Sequence, residues 1–136
     1  MSCEDKRIRI LFVDDSPTIR DMVESALFDL GYVNIVSAID GQDALEVLKQ
    51  NEEDDFDFII TDINMPRMDG FDFITRLRDG FDYASTPIMV LTTEYSDEMK
   101  RKGKEVGATS WIVKPFNKEL LRRAICDTIK KVEEEV

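Results

Sequence analysis

Five short apolar runs alternate along this chain with longer stretches of helical periodicity, and this alternation limits the fold more than any other feature. The runs cover residues 8–13, 33–38, 58–61, 88–92 and 111–113. Their lengths and β-branched content are typical of buried strands. Because parallel strands need a crossover connection, usually a helix, the sequence predicts an α/β fold: a doubly wound parallel five-stranded sheet with helices on both faces.

The stretch after the first run shows the helical pattern most clearly. Its apolar residues recur every three or four positions, as one helix face requires: Ile19, Met22, Val23, Ala26, Leu27 and Leu30. Ser16 can cap the first turn, Pro17 suits that turn and Gly31 suits the end. The last helix repeats the pattern behind Asn117 as its cap.

The helix predicted over residues 97–106 is the weakest of the five. It contains Gly103, and it offers little but Met99 and Val106 for burial. Glycine disfavours a helix interior, and few apolar contacts mean low local stability. We expect this helix to be marginal and easily displaced.

One domain accounts for the chain. Of its 136 residues 43% are hydrophobic, and about 100 to 150 residues can bury a self-sufficient core. We assign residues 1–7 to a charged lead-in and residues 8–132 to the domain. The apolar run after the lead-in is too short for a signal peptide or a membrane span, so we expect a soluble, cytoplasmic monomer that binds no membrane.

The charge of the chain is unevenly distributed. A net charge of -11 without any histidine argues against binding to nucleic acid, which basic patches recognise. Residues 98–136 nevertheless hold 10 bases and 7 acids, whereas residues 1–97 hold 8 bases and 22 acids. The slightly basic segment is either a solvated helical surface or a docking face for an acidic partner.

The two cysteines are Cys3, in the lead-in, and Cys126, far downstream. They show no metal-ligand spacing and are too few for a disulfide framework. We expect both to be reduced thiols.

Polar residues stand at the ends of four predicted strands. Asp14 and Asp15 end the first strand, Asp62 the third, Thr92 the fourth and Lys114 the fifth. Ligands of such sheets bind at the carboxyl ends of the strands, so these side chains are predicted to share one edge. A single acid there could be a helix cap, but all five together indicate a functional site.

Four segments carry a family resemblance: FVDDSPTIR, IITDINMPRMDGFDF, IMVLTTE and WIVKPF. They resemble the signature segments of response-regulator receiver domains, and most closely those of single-domain chemotaxis regulators. The resemblance covers about residues 8–132, and we expect a single receiver domain without an output domain. It implies a flavodoxin-like (βα)5 fold with strand order 2-1-3-4-5, and a cis peptide bond between Lys114 and Pro115.

The acidic residues predict a magnesium site and a phosphoacceptor. Three crowded carboxylates repel one another unless a cation intervenes, and Mg²⁺ takes a few of about six oxygen ligands from protein. Asp15 and Asp62 are the candidate direct ligands, with Asp14 acting through water, and the resemblance adds the main-chain carbonyl of Asn64. Asp62 would attack phosphorus as a carboxylate nucleophile and form an acyl phosphate.

The remaining polar residues suggest a switch. Lys114 can pair with a phosphoryl oxygen, or with Asp62 beforehand. Thr92 can donate its hydroxyl to the phosphoryl group and draw the loop before the fourth helix toward the site. Trp111, on the fifth strand, is either a core indole that does not move or, as the resemblance implies for the aromatic residue at this position, a side chain that packs into the vacated space.

Two further positions are expected to tune the lifetime of the acyl phosphate. Asn64 and Glu94 should flank the line along which water attacks the phosphoryl group. The chain departs from the usual family pattern at Thr93, where a small residue is common, and at Trp111, where tyrosine or phenylalanine is common.

The absence of histidine means that a phosphohistidine donor must be another molecule, and a sensor histidine kinase is the natural source. The resemblance implies the chemotaxis kinase and the flagellar motor switch protein as partners, and a phosphatase is a further candidate. We therefore expect a signalling phosphoacceptor that phosphorylates and dephosphorylates only itself, not an enzyme with an external substrate.

The sequence leaves one alternative open and argues against two others. A phosphate shuttle in another phosphorelay would share every site residue. A magnesium-dependent aspartyl phosphatase of the haloacid-dehalogenase type separates its two acids by one residue, whereas Asp14 and Asp15 are adjacent. A flavin binder needs hydroxyl and amide donors after the first strand, where two carboxylates would repel the phosphate.

Overall fold

The five strands form one parallel sheet. The computed structural model describes residues 1–50, 55–80 and 83–134. Its strands are β1 (Arg9–Val13), β2 (Asn34–Ala38), β3 (Phe58–Thr61), β4 (Ile88–Thr92) and β5 (Ser110–Val113). They lie in the order β2-β1-β3-β4-β5, and each neighbouring pair is parallel. The predicted fold class and strand order are confirmed, and β1, β2 and β5 each begin one residue away from the predicted position.

Helices cover both faces of the sheet. They are α1 (Pro17–Asp29), α2 (Gly41–Gln50), α3 (Gly70–Gly80), α4 (Asp97–Val106) and α5 (Lys118–Glu134). Side chains alternate along β1: Ile10 and Phe12 pack with α1 and α5, whereas Leu11 and Val13 pack with α2 and α3. Because β1, β3 and β4 are buried on both faces, polar residues of these strands are confined to their ends.

The predicted helix caps are present. Ser16 accepts a hydrogen bond from the Ile19 amide at 3.3 Å, and Asn117 accepts one from the Leu120 amide at 2.8 Å. Gly31 follows α1 with a φ of 100°, a conformation that glycine adopts without strain.

None of the helices in the described ranges has the length and apolar character of a membrane span.

Helix α4 forms over the predicted residues, and the structure explains its glycine. Ser96 caps the helix by accepting from the Met99 amide at 3.2 Å, and Gly107 ends it with a φ of 111°. A Cβ atom on Gly103 would lie 2.6 Å from the indole of Trp111. Gly103 lowers the helix propensity of this segment, but its lack of a side chain lets Trp111 of β5 approach the backbone of α4.

The expectation of two separate reduced thiols is wrong in this structure. Cys3 and Cys126 form a disulfide, with their Cα atoms 5.0 Å apart. The lead-in lies against the layer of α1 and α5, where Cys3 packs on the core and its carbonyl accepts a hydrogen bond from the Tyr32 hydroxyl. This tertiary contact joins residues 123 positions apart, a separation at which sequence spacing carries no pairing signal.

Candidate functional site

The acids predicted from the strand ends meet at one edge of the sheet. Asp14, Asp15 and Asp62 each place a carboxylate oxygen within 4.8 Å of the others. Asp14 and Asp62 are buried, whereas Asp15 is exposed. Oxygen ligands of this kind suit a hard divalent cation, and the exposed acid leaves the cluster open to solvent.

Lys114 joins two of these acids. Its Nζ atom donates to Oδ2 of Asp14 at 2.8 Å and to Oδ2 of Asp62 at 3.1 Å. The lysine follows β5, and its amide donates to the Thr92 carbonyl at 2.8 Å, which continues the pairing of β4 with β5. The cis peptide bond between Lys114 and Pro115 is present, as the resemblance implies. Three carboxylates and one ammonium leave two negative charges in the cluster, matching a divalent cation.

Burial and charge set the protonation preferences of the pair. Burial raises the pKa of the Asp14 carboxyl, and its hydrogen bond with Lys114 offsets only part of that effect. Burial also opposes the charged form of Lys114, but the Asp14 hydrogen bond and the Asp62 charge outweigh it and raise the pKa of the ammonium. Lys114 therefore holds its positive charge beside the two buried acids.

The backbone around Asp62 is closely fixed. Its amide donates to the Val13 carbonyl at 2.9 Å, and its Oδ1 atom accepts from the Ile63 amide at 2.6 Å. A Cβ atom on Gly70 would lie 2.3 Å from the Asp62 carbonyl oxygen, so only glycine fits at the end of this loop. The loop after β3, which contains Met65 and Pro66, therefore brings the chain back against the acid that follows β3.

Thr92, Asn64 and Glu94 form a second group beside the acids. The fully buried Thr92 hydroxyl accepts from the Glu94 amide at 3.3 Å. The Asn64 side-chain amide donates to the Glu94 carboxylate at 2.8 Å. The loops that follow β3 and β4 are therefore joined to each other at the edge that carries the acids. Thr93, between Thr92 and Glu94, is exposed.

Trp111 connects this group to the helices. Its indole N–H donates to the Glu94 carbonyl at 2.9 Å. The ring packs against Gly103 of α4 and stacks near Phe71 of α3, with centroids 6.3 Å apart. The indole therefore touches both α4 and the loop that precedes it.

An ion pair near the site was not predicted. Arg67, in the loop after β3, donates to both carboxylate oxygens of Asp40, at 2.8 and 3.0 Å. Asp40 precedes α2 and caps it by accepting from the Asp43 amide at 2.8 Å. An aspartate directly before a helix can be recognised in the sequence as a candidate N-cap. Its pairing with an arginine 27 residues away depends on the tertiary fold and cannot be inferred from the sequence.

The response regulator receiver domain family matches residues 10–126 of the chain. The acid cluster and most of the buried core lie within that span.

The chain belongs to this family.

Among curated receiver proteins, the chain is 38% identical over 120 residues to chemotaxis protein CheY-3 of Vibrio cholerae, covering 88% of this chain and 90% of that protein. It is 33% identical over 125 residues to chemotaxis protein CheY of Pseudomonas aeruginosa, covering 92% and 98%. A crystal structure of V. cholerae CheY4 superposes with a TM-score of 0.78 at 45% identity, covering 93% of this chain and 98% of that one. These similarities confirm the family resemblance inferred from the four segments.

Proposed function

We propose that this receiver domain accepts a phosphoryl group on Asp62, with Mg²⁺ bound beside it, from a separate histidine kinase. The observation that carries the proposal is the cluster of three carboxylates with the Lys114 ammonium bonded to two of them. The cluster concentrates negative charge at the carboxyl edge of a parallel sheet, where ligands of such folds bind. The protein would act in signalling as a stand-alone, cytoplasmic phosphoacceptor.

The carboxylate cluster fits Mg²⁺ through the chemistry of its donors. Asp15 and Asp62 would supply direct oxygen ligands, Asp14 a contact through water, and Asn64 its main-chain carbonyl. A bound Mg²⁺ would offset the negative charge of an incoming phosphoryl group. The buried acids of the cluster already have a partner in Lys114, so that ammonium and the cation would share the charge of the site.

Besides the bound Mg²⁺, the phosphoryl step needs only groups that the site contains and a phosphorylated donor. An oxygen of Asp62 forms the new bond to phosphorus as the phosphorus–nitrogen bond of the donor phosphohistidine breaks, and the electron pair of that bond returns to the imidazole. The Lys114 ammonium then pairs with a phosphoryl oxygen in place of the Asp62 carboxylate. The Thr92 hydroxyl, whose oxygen accepts from the Glu94 amide, then donates its proton to another phosphoryl oxygen.

The docking face in this proposal is formed by α4, β5 and α5. Residues 98–136, which contain α5 and most of α4, carry the slight excess of bases. Trp111 and Glu94 connect the phosphorylation site to this face. Because similar proteins are chemotaxis proteins, the proposed partners are the chemotaxis kinase and the flagellar motor switch protein, with a phosphatase as a further partner.

Phosphorylation can be tested without knowing the kinase. The purified protein is incubated with acetyl phosphate and Mg²⁺, and its intact mass is measured. We expect a gain of one phosphoryl group that disappears when EDTA removes the metal. Absence of any gain with Mg²⁺, in protein that folds normally by circular dichroism, would refute the proposed function.

A change at Asn64 or Glu94 is expected to alter dephosphorylation more than phosphorylation. These side chains are hydrogen-bonded to each other, and each stands two residues beyond a residue that would touch the phosphoryl group. Replacing either by alanine should change the dephosphorylation rate several-fold, because the water that attacks phosphorus is then oriented differently. The two rates can be followed by mass spectrometry, first during labelling and then after acetyl phosphate is removed in buffer that keeps Mg²⁺.

The matched control for this pair is Asn34→Ala. Asn34 also donates from its side-chain amide, to the Arg7 carbonyl at 2.9 Å, but it lies on the edge strand β2. Both rates should stay at the wild-type value in that variant. Equal changes of both rates in the Asn64 and Glu94 variants would refute their placement beside the attacking water.

The fluorescence of Trp111 is expected to report phosphoryl binding but not metal binding. The indole donates to the Glu94 carbonyl, and Glu94 lies two residues beyond Thr92. The residue directly after Asp62 is Ile63, so no tryptophan stands beside the acid cluster in sequence. Mg²⁺ alone should change the emission little, and beryllium fluoride, which mimics the phosphoryl group, should shift it clearly. An unchanged emission in protein shown by mass spectrometry to be fully phosphorylated would disprove the coupling of Trp111 to the site.

A further inference from the structure

The loop between β3 and α3 carries an arginine in an unusual conformation. Arg67 has a φ of 62° and is the one residue other than glycine with a positive φ among the described residues. This left-handed region is costly for most side chains and favours glycine and asparagine. The Met68 amide donates to the Pro66 carbonyl at 2.6 Å across the same turn. An arginine at this position therefore needs a compensating interaction.

The compensating interaction is the pair of hydrogen bonds to Asp40. Arg67 approaches with two nitrogen atoms, Nε at 2.8 Å and Nη2 at 3.0 Å, and each meets a different carboxylate oxygen. Asp40 is only 1% exposed. Two parallel bonds fix orientation as well as distance, and because the Arg67 side chain is 57% exposed, the pair acts through this geometry more than through its energy. The bridge therefore holds the loop after β3 against the start of α2.

The bridge anchors one end of the segment that contains Asn64. At the other end, Ile63 is buried and its carbonyl accepts from the Gly70 amide at 2.9 Å. Residues 64–66 lie between these two anchors. The position of the Asn64 carbonyl thus depends on the buried Ile63 on one side and on Arg67 on the other.

We infer that Arg67 is a positioning residue, whose bridge to Asp40 sets the place of the Asn64 carbonyl and thereby the affinity of the acid cluster for Mg²⁺. This inference rests on the proposed function, because that function includes the metal. Arg67 acts through the loop: it carries no ligand atom, and its charge is held by Asp40. Residues that orient metal ligands in this way typically change metal affinity by 10-fold to 100-fold, as an order of magnitude, when they are replaced.

Calorimetric titration with Mg²⁺ tests the inference. Arg67→Asn removes the bridge but keeps a residue that tolerates the positive φ. We expect its Kd for Mg²⁺ to rise about tenfold. Asp40→Asn should raise the Kd by a similar factor. The double variant should bind Mg²⁺ no more weakly than either single variant, because all three lack the same bridge. The Kd of Arg67→Lys should lie between those of the wild type and Arg67→Asn, since lysine keeps the charge but cannot form two parallel bonds.

The matched control is Arg7→Asn. Arg7 also bonds both oxygens of an aspartate, Asp5, at 3.0 and 3.4 Å, but it lies in the exposed lead-in. Its Kd should equal that of the wild type. A Kd for Arg67→Asn within twofold of the wild-type value would overturn the inference, and so would a loss of thermal stability without a change in Kd, because the bridge would then be structural only.

A measurement without metal gives a second readout. Amide hydrogen exchange of the metal-free protein should be faster in Arg67→Asn at Met68 and Gly70, and unchanged in α5. Equal protection in the two proteins would overturn the inference. Failure of the wild type itself to bind Mg²⁺ would refute the proposed function together with this inference, whereas normal wild-type binding with an unaffected Arg67→Asn variant would refute the inference alone.

Discussion

Asp62→Asn is expected to abolish uptake of a phosphoryl group from acetyl phosphate. The substitution replaces a carboxylate nucleophile by an amide that cannot form an acyl phosphate. It also removes one negative charge from the cluster. The asparagine side chain has nearly the same shape. Its carbonyl oxygen can still accept from the Ile63 amide, which lies 2.6 Å from Oδ1 of Asp62 in the wild type. Intact mass after incubation with Mg²⁺ should therefore show no gain, while circular dichroism shows the wild-type fold.

A neighbouring acid supplies the control for this substitution. Asp69 lies in the same loop, and its carboxylate accepts from the Asp72 amide at 2.9 Å, which asparagine can also do. Asp69→Asn should be labelled like the wild type. If Asp62→Asn still gained a full equivalent of phosphoryl group, the acceptor would have been assigned to the wrong residue.

Loss of the disulfide is expected to lower the unfolding temperature by about 10 °C. The bond joins Cys3 to Cys126 across 123 residues, and closing a loop of that size typically stabilises a protein by about 2–4 kcal/mol. For a domain of this length each kcal/mol shifts Tm by roughly 3–5 °C. Calorimetry of the oxidised protein with and without dithiothreitol measures the difference.

Two variants test whether this effect belongs to the bond. Cys3→Ser and Cys126→Ser should each unfold at about the temperature of the reduced wild type, and neither should respond to dithiothreitol. An oxidised wild type that unfolds at the same temperature as the reduced protein would show that the bond contributes no stability. The stabilisation applies to the protein under oxidising conditions, because a reducing environment keeps the thiols free.

The fold could be predicted because its signals are local. Apolar runs of three to six residues, helix periodicity and caps such as Ser16 and Asn117 each depend on residues close in sequence. The meeting of Asp14, Asp62 and Lys114 also followed from sequence, since the carboxyl ends of parallel strands share one edge. Local pattern and sheet geometry were sufficient for these features.

The features that sequence did not reveal depend on distant pairs. The bridge of Arg67 to Asp40 and the disulfide of Cys3 with Cys126 form only when separate segments meet in the folded chain. Gly103 appeared to weaken α4, whereas its small size is needed for the contact with Trp111. A glycine penalty in a helix is a local quantity, and it was outweighed here by tertiary packing.

The most direct test of the central claim is to locate the phosphoryl group in the wild-type protein. After labelling with acetyl phosphate and Mg²⁺, borohydride reduces the acyl phosphate to homoserine, and peptide mass spectrometry identifies the converted residue. We predict conversion at position 62 alone, with Asp14 and Asp15 intact. Conversion at either of those acids, or labelling with no converted residue at position 62, would contradict the account.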